Sequence, residues 1–154
     1  MKNIIRNCQK GVQLDLNKMK IYICCSKYFY HKIPEIKEKL ERLGHEITLP
    51  NSFENPFLEE EIKKLNKEKH IEWKSKMLKE QNQKIETNDG IAVLNFEKNN
   101  QLNYIGGATF MEIVKAWELG KKIFLFNPIP NNLFTDELNA INPIILNGDL
   151  EPIN

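Results

Sequence analysis

The sequence is poor in several residues on which common functional classes depend. It has three cysteines, and because Cys24 and Cys25 are adjacent, it offers neither a disulfide framework nor a CxxC pair for zinc. Arg6 and Arg42 are its only arginines, which argues against a phosphate site built from bidentate guanidinium groups. No apolar run approaches the ~18 residues of a membrane span, and the N-terminal residues lack a signal-peptide core. We therefore expect a cytoplasmic protein with no metal site.

The charge balance excludes a bulk attraction to polyanions. The 22 basic and 21 acidic residues leave a net charge of +1, so nucleic-acid binding would need a local basic patch. The lysines between Lys63 and Lys84 alternate with glutamates, which is typical of a solvated helix face. With 154 residues, 41% of them hydrophobic, the chain can bury one core without metal or disulfide staples. We expect one folded domain that binds neither nucleic acid nor membrane.

Strand-like and helix-like segments alternate from Met19 onward. The predicted strands cover 20–25, 45–49, 90–96, 122–126 and 143–146; the predicted helices cover 34–43, 58–87 as one helix or two, 109–119 and 135–139, with a polar loop over 26–32. Short links between them require a parallel sheet covered on both faces. The prediction is an α/β fold, a single-domain flavodoxin-like (Rossmann-like) three-layer sandwich with strand order 2-1-3-4-5. The domain spans 19–154, and residues 1–18 form an N-terminal extension.

This strand order also predicts where a ligand binds. In such sheets the crevice lies beyond the carboxyl ends of the strands, at the switch point between the first and third strands. The rule brings together the loop 25–30, the stretch 95–109 and the region after the fourth strand. Asn95 and Asn127 follow the third and fourth strands, so they are candidate ligand contacts, although Asn is also common in loops.

One polar side chain interrupts an apolar stripe in the segment 58–87. Trp73, Met77, Gln81 and Ile85 recur every four residues and therefore share one helix face. The stripe favours a core or subunit-interface position for Trp73. Gln81 is either a hydrogen-bonded core amide or a group that lines a pocket.

Two glycines precede the predicted helix at 109–119. Gly106 and Gly107 allow the backbone to approach a ligand closely, and the free N–H groups of the first helical turn favour an anion. Glu112 is predicted in that first turn, where its carboxylate can face the crevice and attack an anomeric carbon. The spacing from Thr109 to Glu112 is also that of a capping box, in which Glu112 only caps the helix, and spacing alone favours this interpretation. The residues by themselves leave both interpretations open.

Beyond these single motifs, the chain from Met19 to its end resembles the nucleoside 2-deoxyribosyltransferase-like family. The features that carry the resemblance are the opening strand with its small-residue loop (21–26), the Asp before the central strand (Asp89), the Gly-rich helix start that carries Glu112, the residues leading into the fourth strand (120–123) and the closing segment (143–150). The resemblance covers most of the chain.

The resemblance implies a reaction and a set of site residues. Glu112 stands at the position of the family's nucleophile, which forms a covalent deoxyribosyl intermediate. Asp89 starts the central strand as a turn residue, and it is a second catalytic candidate if it reaches the crevice. The first loop, from Ser26 to Phe29, would shape the base pocket.

Further residues complete the implied binding site. Gly106, Gly107 and Thr109 are the candidates for holding a 5′-phosphate, while Cys25 and Tyr104 border the same predicted crevice. The implied partner is a small-molecule nucleoside or nucleotide. The resemblance further implies a homodimer or larger homo-oligomer, and no cofactor is expected.

Two departures from the family pattern favour an alternative. Gly106 stands where several family members have an Asp, and Gln81 stands where the phosphate-dependent hydrolases have one. Because an amide cannot donate a proton as an acid, the alternative is a non-catalytic nucleotide-binding module, a sensor that uses the same crevice. A flavin protein is a third interpretation, but the loop 26–30 lacks the run of Ser and Thr expected around a flavin phosphate.

Overall fold

The computed structural model describes residues 17–154, so the predicted extension over 1–18 lies almost entirely outside the described residues. Five strands form one parallel sheet: β1 (Lys20–Cys24), β2 (Glu46–Thr48), β3 (Gly90–Val93), β4 (Lys122–Leu125) and β5 (Ile144–Ile145). Their order, β2-β1-β3-β4-β5, confirms the predicted topology. β1 and β3 are therefore neighbours at the centre, with Cys24 opposite Val93 at their carboxyl ends.

Five α-helices connect or follow the strands: α1 (Ile33–Arg42), α2 (Leu58–Leu65), α3 (Lys67–Thr87), α4 (Gly107–Glu118) and α5 (Thr135–Ile141). The segment 58–87 forms two helices, because Asn66 adopts an extended conformation between them. Its side chain accepts hydrogen bonds from the N–H groups of Glu68 and Lys69, which caps the start of α3. No helix within residues 17–154 has the length and apolar character needed to cross a membrane.

The segment predicted as a polar loop after β1 is more ordered than expected. Residues Lys27–Lys32 form a 3-10 helix that leads directly into α1. The reason is Phe29, which is only 3% exposed and packs edge-on against Phe96 with their ring centroids 5.5 Å apart. One buried aromatic ring thus fixes a segment that is otherwise polar.

Alternate residues of the strands pack against different layers. Ile21 and Ile23 of β1 join a cluster with α1 and the C-terminal segment, whereas Tyr22 and Cys24 join a cluster with α3, α4 and α5. Helices therefore cover both faces of the sheet, as the near-continuous apolar strands require. This arrangement directs Tyr22 toward α4, and it places the start of α4 beyond the carboxyl ends of β1 and β3.

Candidate active site

A cavity of about 270 Å³ opens at the predicted switch point. Its walls come from β1 and the 3-10 helix, the loop after β2, the helices α2 and α3, and the start of α4. The cavity brings together most of the residues that the sequence predicted for the site: Cys25, Ser26, Gln81, Tyr104, Gly106, Gly107, Thr109 and Glu112.

The structure excludes the capping-box interpretation of Glu112. Helix α4 begins at Gly107 with Gly106 as its N-cap, two residues earlier than predicted, and Gly106 makes no side-chain cap. Thr109 therefore lies inside the helix and cannot be the N-cap of a capping box, so that interpretation is wrong. Glu112 lies in the second turn rather than the first, where it is 7% exposed and lines the cavity. Its Oε2 is buried and has no hydrogen-bond partner within residues 17–154.

The surroundings of Glu112 place its ionisation near neutrality. Burial raises the pKa of the Glu112 carboxyl from its ordinary 4.5 to about 7. Polar groups of Cys24 and Tyr22 and the positive charges of Lys84 and Lys74 act in the opposite direction and limit the rise in pKa. Both the protonated and the ionised carboxyl are therefore populated at pH 7, which makes this group available as a nucleophile.

The start of α4 presents backbone donors to the same cavity. The first hydrogen bond within α4 runs from the N–H of Phe110 to the carbonyl of Gly106. The N–H groups of residues 107–109 therefore have no partner within the helix. A Cβ at Gly107 would meet nothing within 4 Å, whereas one at Gly106 would lie 3.1 Å from the Tyr104 hydroxyl. The glycines therefore leave space in front of these donors. Such a helix start suits an anionic or hydroxyl-bearing group of a ligand.

Tyr104 is held at the cavity edge by a cation. Lys98 Nζ lies 4.5 Å from the centroid of the Tyr104 ring and 4.3 Å from that of Tyr28. These cation–π contacts join the loop before α4 to the 3-10 helix after β1. The position of Tyr104 is thus set by residues that the motif did not include.

A second carboxylate, which the sequence interpretation missed, also lines the cavity. Glu59 of α2 accepts a hydrogen bond from His70 (Nε2 to Oε1, 3.1 Å) and pairs with Lys74 (3.3 Å) and Lys63 (3.7 Å). Burial disfavours its ionisation, but the hydrogen bond from His70 and the nearby lysine charges outweigh burial and hold the pKa of Glu59 below its usual value. In the sequence, Glu59 is one of three consecutive glutamates and carries no signal that separates it from a solvated face.

The apolar wall of the cavity comes from the stripe on α3. Trp73 lines the cavity together with Met77, with Tyr30 of the 3-10 helix contributing a further ring. Trp73 is only partly buried and stacks on His70 with ring centroids 6.4 Å apart. The predicted core position of Trp73 is therefore corrected, because its indole lines the cavity, whereas the subunit-interface position stays a prediction.

Gln81 lines the cavity, so the pocket-lining interpretation of this residue is the correct one. It is 7% exposed, and its neighbour Glu80 does not line the cavity and pairs instead with Lys76. Cys25 also lines the cavity, but burial and the charge of Glu112 raise the pKa of its thiol far above neutrality. Neither residue supplies an ionised group to the site.

Two predicted site residues bond to each other instead of lining the cavity. The Asn95 amide donates to the carbonyls of Asn127 (2.9 Å) and Pro128 (3.0 Å), and its Oδ1 accepts from the Asn127 N–H (2.8 Å). Asn127 donates in turn to the carbonyl of Asn95 (3.1 Å). Their position after the strands was predicted correctly, but these bonds tie together the ends of β3 and β4, and neither residue lines the cavity.

Phe29 and Asp89 also lie away from the cavity. Phe29 is buried against Phe96 beneath the 3-10 helix. Asp89 precedes the first residue of β3 at the amino end of the sheet, where it is exposed and its Oδ2 accepts a hydrogen bond from the N–H of Lys20 at 2.7 Å. The expectation that Asp89 reaches the crevice is therefore corrected: it joins the starts of β1 and β3, at the end of the sheet opposite to the cavity.

A larger groove of about 510 Å³ lies between α1 and the C-terminal segment. Every charged residue that lines it is exposed, and Lys39 and Arg42 are already paired with Glu35 and Glu38. Water competes for each polar contact in such a groove. The smaller cavity, with its buried carboxyl, is the stronger candidate for chemistry. Within residues 17–154 no group of three or more His, Cys, Asp or Glu side chains is arranged to hold a metal ion.

Comparisons with known proteins support the fold. No protein-family model matches the chain, and no curated protein matches it. Among solved structures, the chain is similar to 2-deoxyribosyltransferase from the psychrotolerant bacterium Bacillus psychrosaccharolyticus, with a TM-score of 0.51 at 21% identity over 77% of this chain and 80% of that one. The resemblance seen in the sequence is thereby confirmed at the level of the fold.

Proposed function

We propose that this chain, which shares its fold with a 2-deoxyribosyltransferase, cleaves or transfers the N-glycosidic bond of a deoxynucleoside or a deoxynucleoside 5′-monophosphate. The observation that carries the proposal is the Glu112 carboxyl, which is buried, lines the cavity and leaves Oε2 unpartnered within the described residues. Burying a polar atom without a partner costs stability, so its presence in a cavity favours a functional role.

The proposed chemistry proceeds in two displacements. An ionised Glu112 oxygen attacks C1′ of the sugar, and the electron pair of the broken C1′–N bond leaves with the base, which takes a proton from water. The product is an ester between deoxyribose and Glu112. An acceptor base or water then attacks C1′, and the electron pair of the ester bond returns to Glu112. The first outcome is transfer and the second is hydrolysis.

The walls of the cavity suit the two ends of such a substrate. Trp73 and Tyr30 provide ring surfaces for a nucleobase, and the Gln81 amide can donate a hydrogen bond to it without giving up a proton. The free N–H groups at residues 107–109 and the Ser26 hydroxyl suit the 5′-oxygen or phosphate of the sugar.

The proposal also covers cofactor use, oligomeric state and cellular location. The two displacements need only carboxylate chemistry, so no cofactor is included. The proposed location is the cytoplasm. A homodimer or larger homo-oligomer is supported by Met111 and Trp117, which are 52% and 56% exposed on α4. Sedimentation of the purified protein tests the oligomer.

The test is a release assay with the four common 2′-deoxynucleosides and their 5′-monophosphates. The wild type is expected to release or exchange the base of at least one of them, while Glu112→Gln and Glu112→Ala are expected to be inactive. Glu118→Gln is the matched control, because Glu118 is exposed on the same helix. Equal inertness of wild type and Glu112 variants over the whole panel would contradict the proposal.

A sensor that binds a nucleotide without cleaving it is the second candidate. The observation in its favour is Gln81, which is the one buried polar residue of α3 over Lys67–Thr87. It lines the cavity, but as an amide it cannot act as an acid. Thermal-shift measurements with the same panel distinguish the two functions, since a ligand that binds only the folded state raises its stability by RT ln(1 + [L]/Kd). Stabilisation without any turnover favours the sensor.

A further inference from the structure

A covalent deoxyribosyl ester has to be resolved, and the acceptor that resolves it has to lose a proton. Water or a nucleobase N–H becomes a good nucleophile when a nearby base accepts that proton as the new bond forms. The proposed function assigns Glu112 but leaves this proton without an acceptor, so each ionisable side chain of the cavity wall is a candidate for the role.

Most of the other polar side chains in the cavity wall are excluded as the acceptor. Burial is the main cause that raises the pKa of Tyr22, Tyr30 and Cys25 far above neutrality, so all three are neutral at pH 7 and cannot accept a proton. Gln81 is an amide. Lys27 and Lys74 also line the cavity, but each is already paired with a glutamate, Glu60 or Glu59.

The remaining group is the carboxylate of Glu59, which α2 contributes to the cavity wall. Glu59 is the second residue of α2, and the loop before α2 is tied to α3 by a hydrogen bond from the Asn51 amide to the carbonyl of Met77 (3.1 Å). His70 and Lys74 of α3 both contact Oε1 of Glu59. These contacts hold the carboxylate against α3 through one oxygen, which leaves Oε2 for a molecule in the cavity.

Tyr30 connects the two carboxylates. It lines the same cavity, and after burial and the neighbouring Cys25, the charges of Glu112 and Glu59 both raise its pKa. Both glutamates line this cavity together with Tyr30, so the nucleophile and Glu59 share one small space. A cavity of about 270 Å³ has room for little more than one nucleoside-sized ligand.

We propose that Glu59 is the general base of this site and resolves the intermediate that the proposed function assigns to Glu112. Water, or the N–H of an acceptor base, attacks C1′ while its proton moves to Glu59. The bond between C1′ and the Glu112 oxygen breaks, and its electron pair returns to that oxygen. Protonated Glu59 then releases the proton to solvent, which restores the starting state. This inference rests on the proposed function.

The experiment measures formation and discharge of the glycosyl–enzyme ester by rapid quench and intact-protein mass spectrometry. The probes are the four common 2′-deoxynucleosides and their 5′-monophosphates. In Glu59→Gln, the ester is expected to form but to discharge about 100-fold more slowly than in the wild type, because a positioned base is worth 10²–10⁴-fold. Glu61→Gln, an exposed glutamate on the same helix, is expected to match the wild type.

Azide separates a catalytic from a structural role. It attacks C1′ as an anion and carries no proton to remove, so it is expected to restore fast discharge in Glu59→Gln and to yield deoxyribosyl azide. A merely structural defect would not be restored in this way. Glu59→Asp, which keeps the charge, is expected to discharge at an intermediate rate.

The outcomes distinguish the two proposals. A wild type that forms no ester with any probe overturns both of them. An ester that the wild type and Glu59→Gln discharge at the same rate leaves Glu112 as the nucleophile and overturns the role of Glu59. Slow discharge that azide does not accelerate also overturns it, since the loss would then be structural.

Discussion

Replacing Glu112 by Gln should stabilise the protein, and the gain should grow as the pH rises. The ordinary pKa of a Glu carboxyl is 4.5, whereas burial raises that of Glu112 to about 7 in the folded chain. Between these two values the unfolded chain has lost the proton that the folded chain keeps. The unfolded state therefore binds fewer protons, and the free energy of unfolding falls as the pH increases through this window.

The size of the effect follows from the difference between the two pKa values. One pKa unit corresponds to about 1.4 kcal/mol, so the full destabilisation by Glu112 is about 3 kcal/mol once the pH exceeds its folded-state pKa. It is mostly absent at pH 5, where the folded carboxyl is protonated and the unfolded one only partly ionised. Glutamine has the same shape but no charge, so the free energy gained by Glu112→Gln is expected to be about 2–3 kcal/mol larger at pH 8 than at pH 5.

Urea unfolding of wild type and variant at pH 5 and pH 8, followed by tryptophan fluorescence, measures this difference. Any effect of the substitution that does not depend on pH cancels when the two pH values are compared. Glu35→Gln is the control, because Glu35 is exposed and its hydrogen bond from Lys39 lowers its pKa, so it is ionised at both pH values. An identical effect of Glu112→Gln at pH 5 and pH 8 would refute the reasoning, since it would mean that burial does not perturb this carboxyl.

Three other substitutions test the surroundings of the site. Lys84→Met removes a charge that favours ionised Glu112, so the midpoint of the pH dependence of unfolding should move to higher pH; an unchanged midpoint would exclude this influence. Gly90→Ala should destabilise the fold by about 1–3 kcal/mol in urea unfolding, because its Cβ would lie 2.8 Å from the carbonyl oxygen of Lys122. If this variant is as stable as the wild type, β3 and β4 move apart at little cost. Gly107→Ala should keep the thermal stability, since its Cβ meets nothing within 4 Å, but should weaken ligand binding about tenfold in a calorimetric titration; unchanged affinity would place the ligand elsewhere.

Local patterns in the sequence predicted the sheet and the part of the site at the start of α4. The apolar run at 90–96 and its neighbours gave the five strands, and the short links between them imposed the parallel order. The carboxyl-end rule then located the cavity beside Gly106 and Gly107. These predictions succeeded because a strand or a helix start depends on residues that are adjacent in the chain.

Contacts of the site that join distant segments were not predictable in the same way. Glu59 looks like any other glutamate of a charged helix, and only the packing of α2 on α3 brings His70 and Lys74 against it. Asn95 and Asn127 look like ligand contacts, yet they bond to each other because β3 and β4 are neighbours. A contact between distant segments has no local pattern that reveals it.

The sequence by itself determined that residues 19–154 form an α/β sheet with a glycine-rich helix start at its carboxyl edge, since hydrophobic periodicity and backbone conformation are local properties. Only the tertiary structure decided where the Glu112 carboxyl lies. The residues 109–112 fit either a capping box or a cavity wall. The outcome depended on α4 beginning at Gly107 and on Tyr22 of β1 packing against the same helix. Burial, which sets both the pKa of Glu112 and its availability to a ligand, arises from segments far apart in the chain.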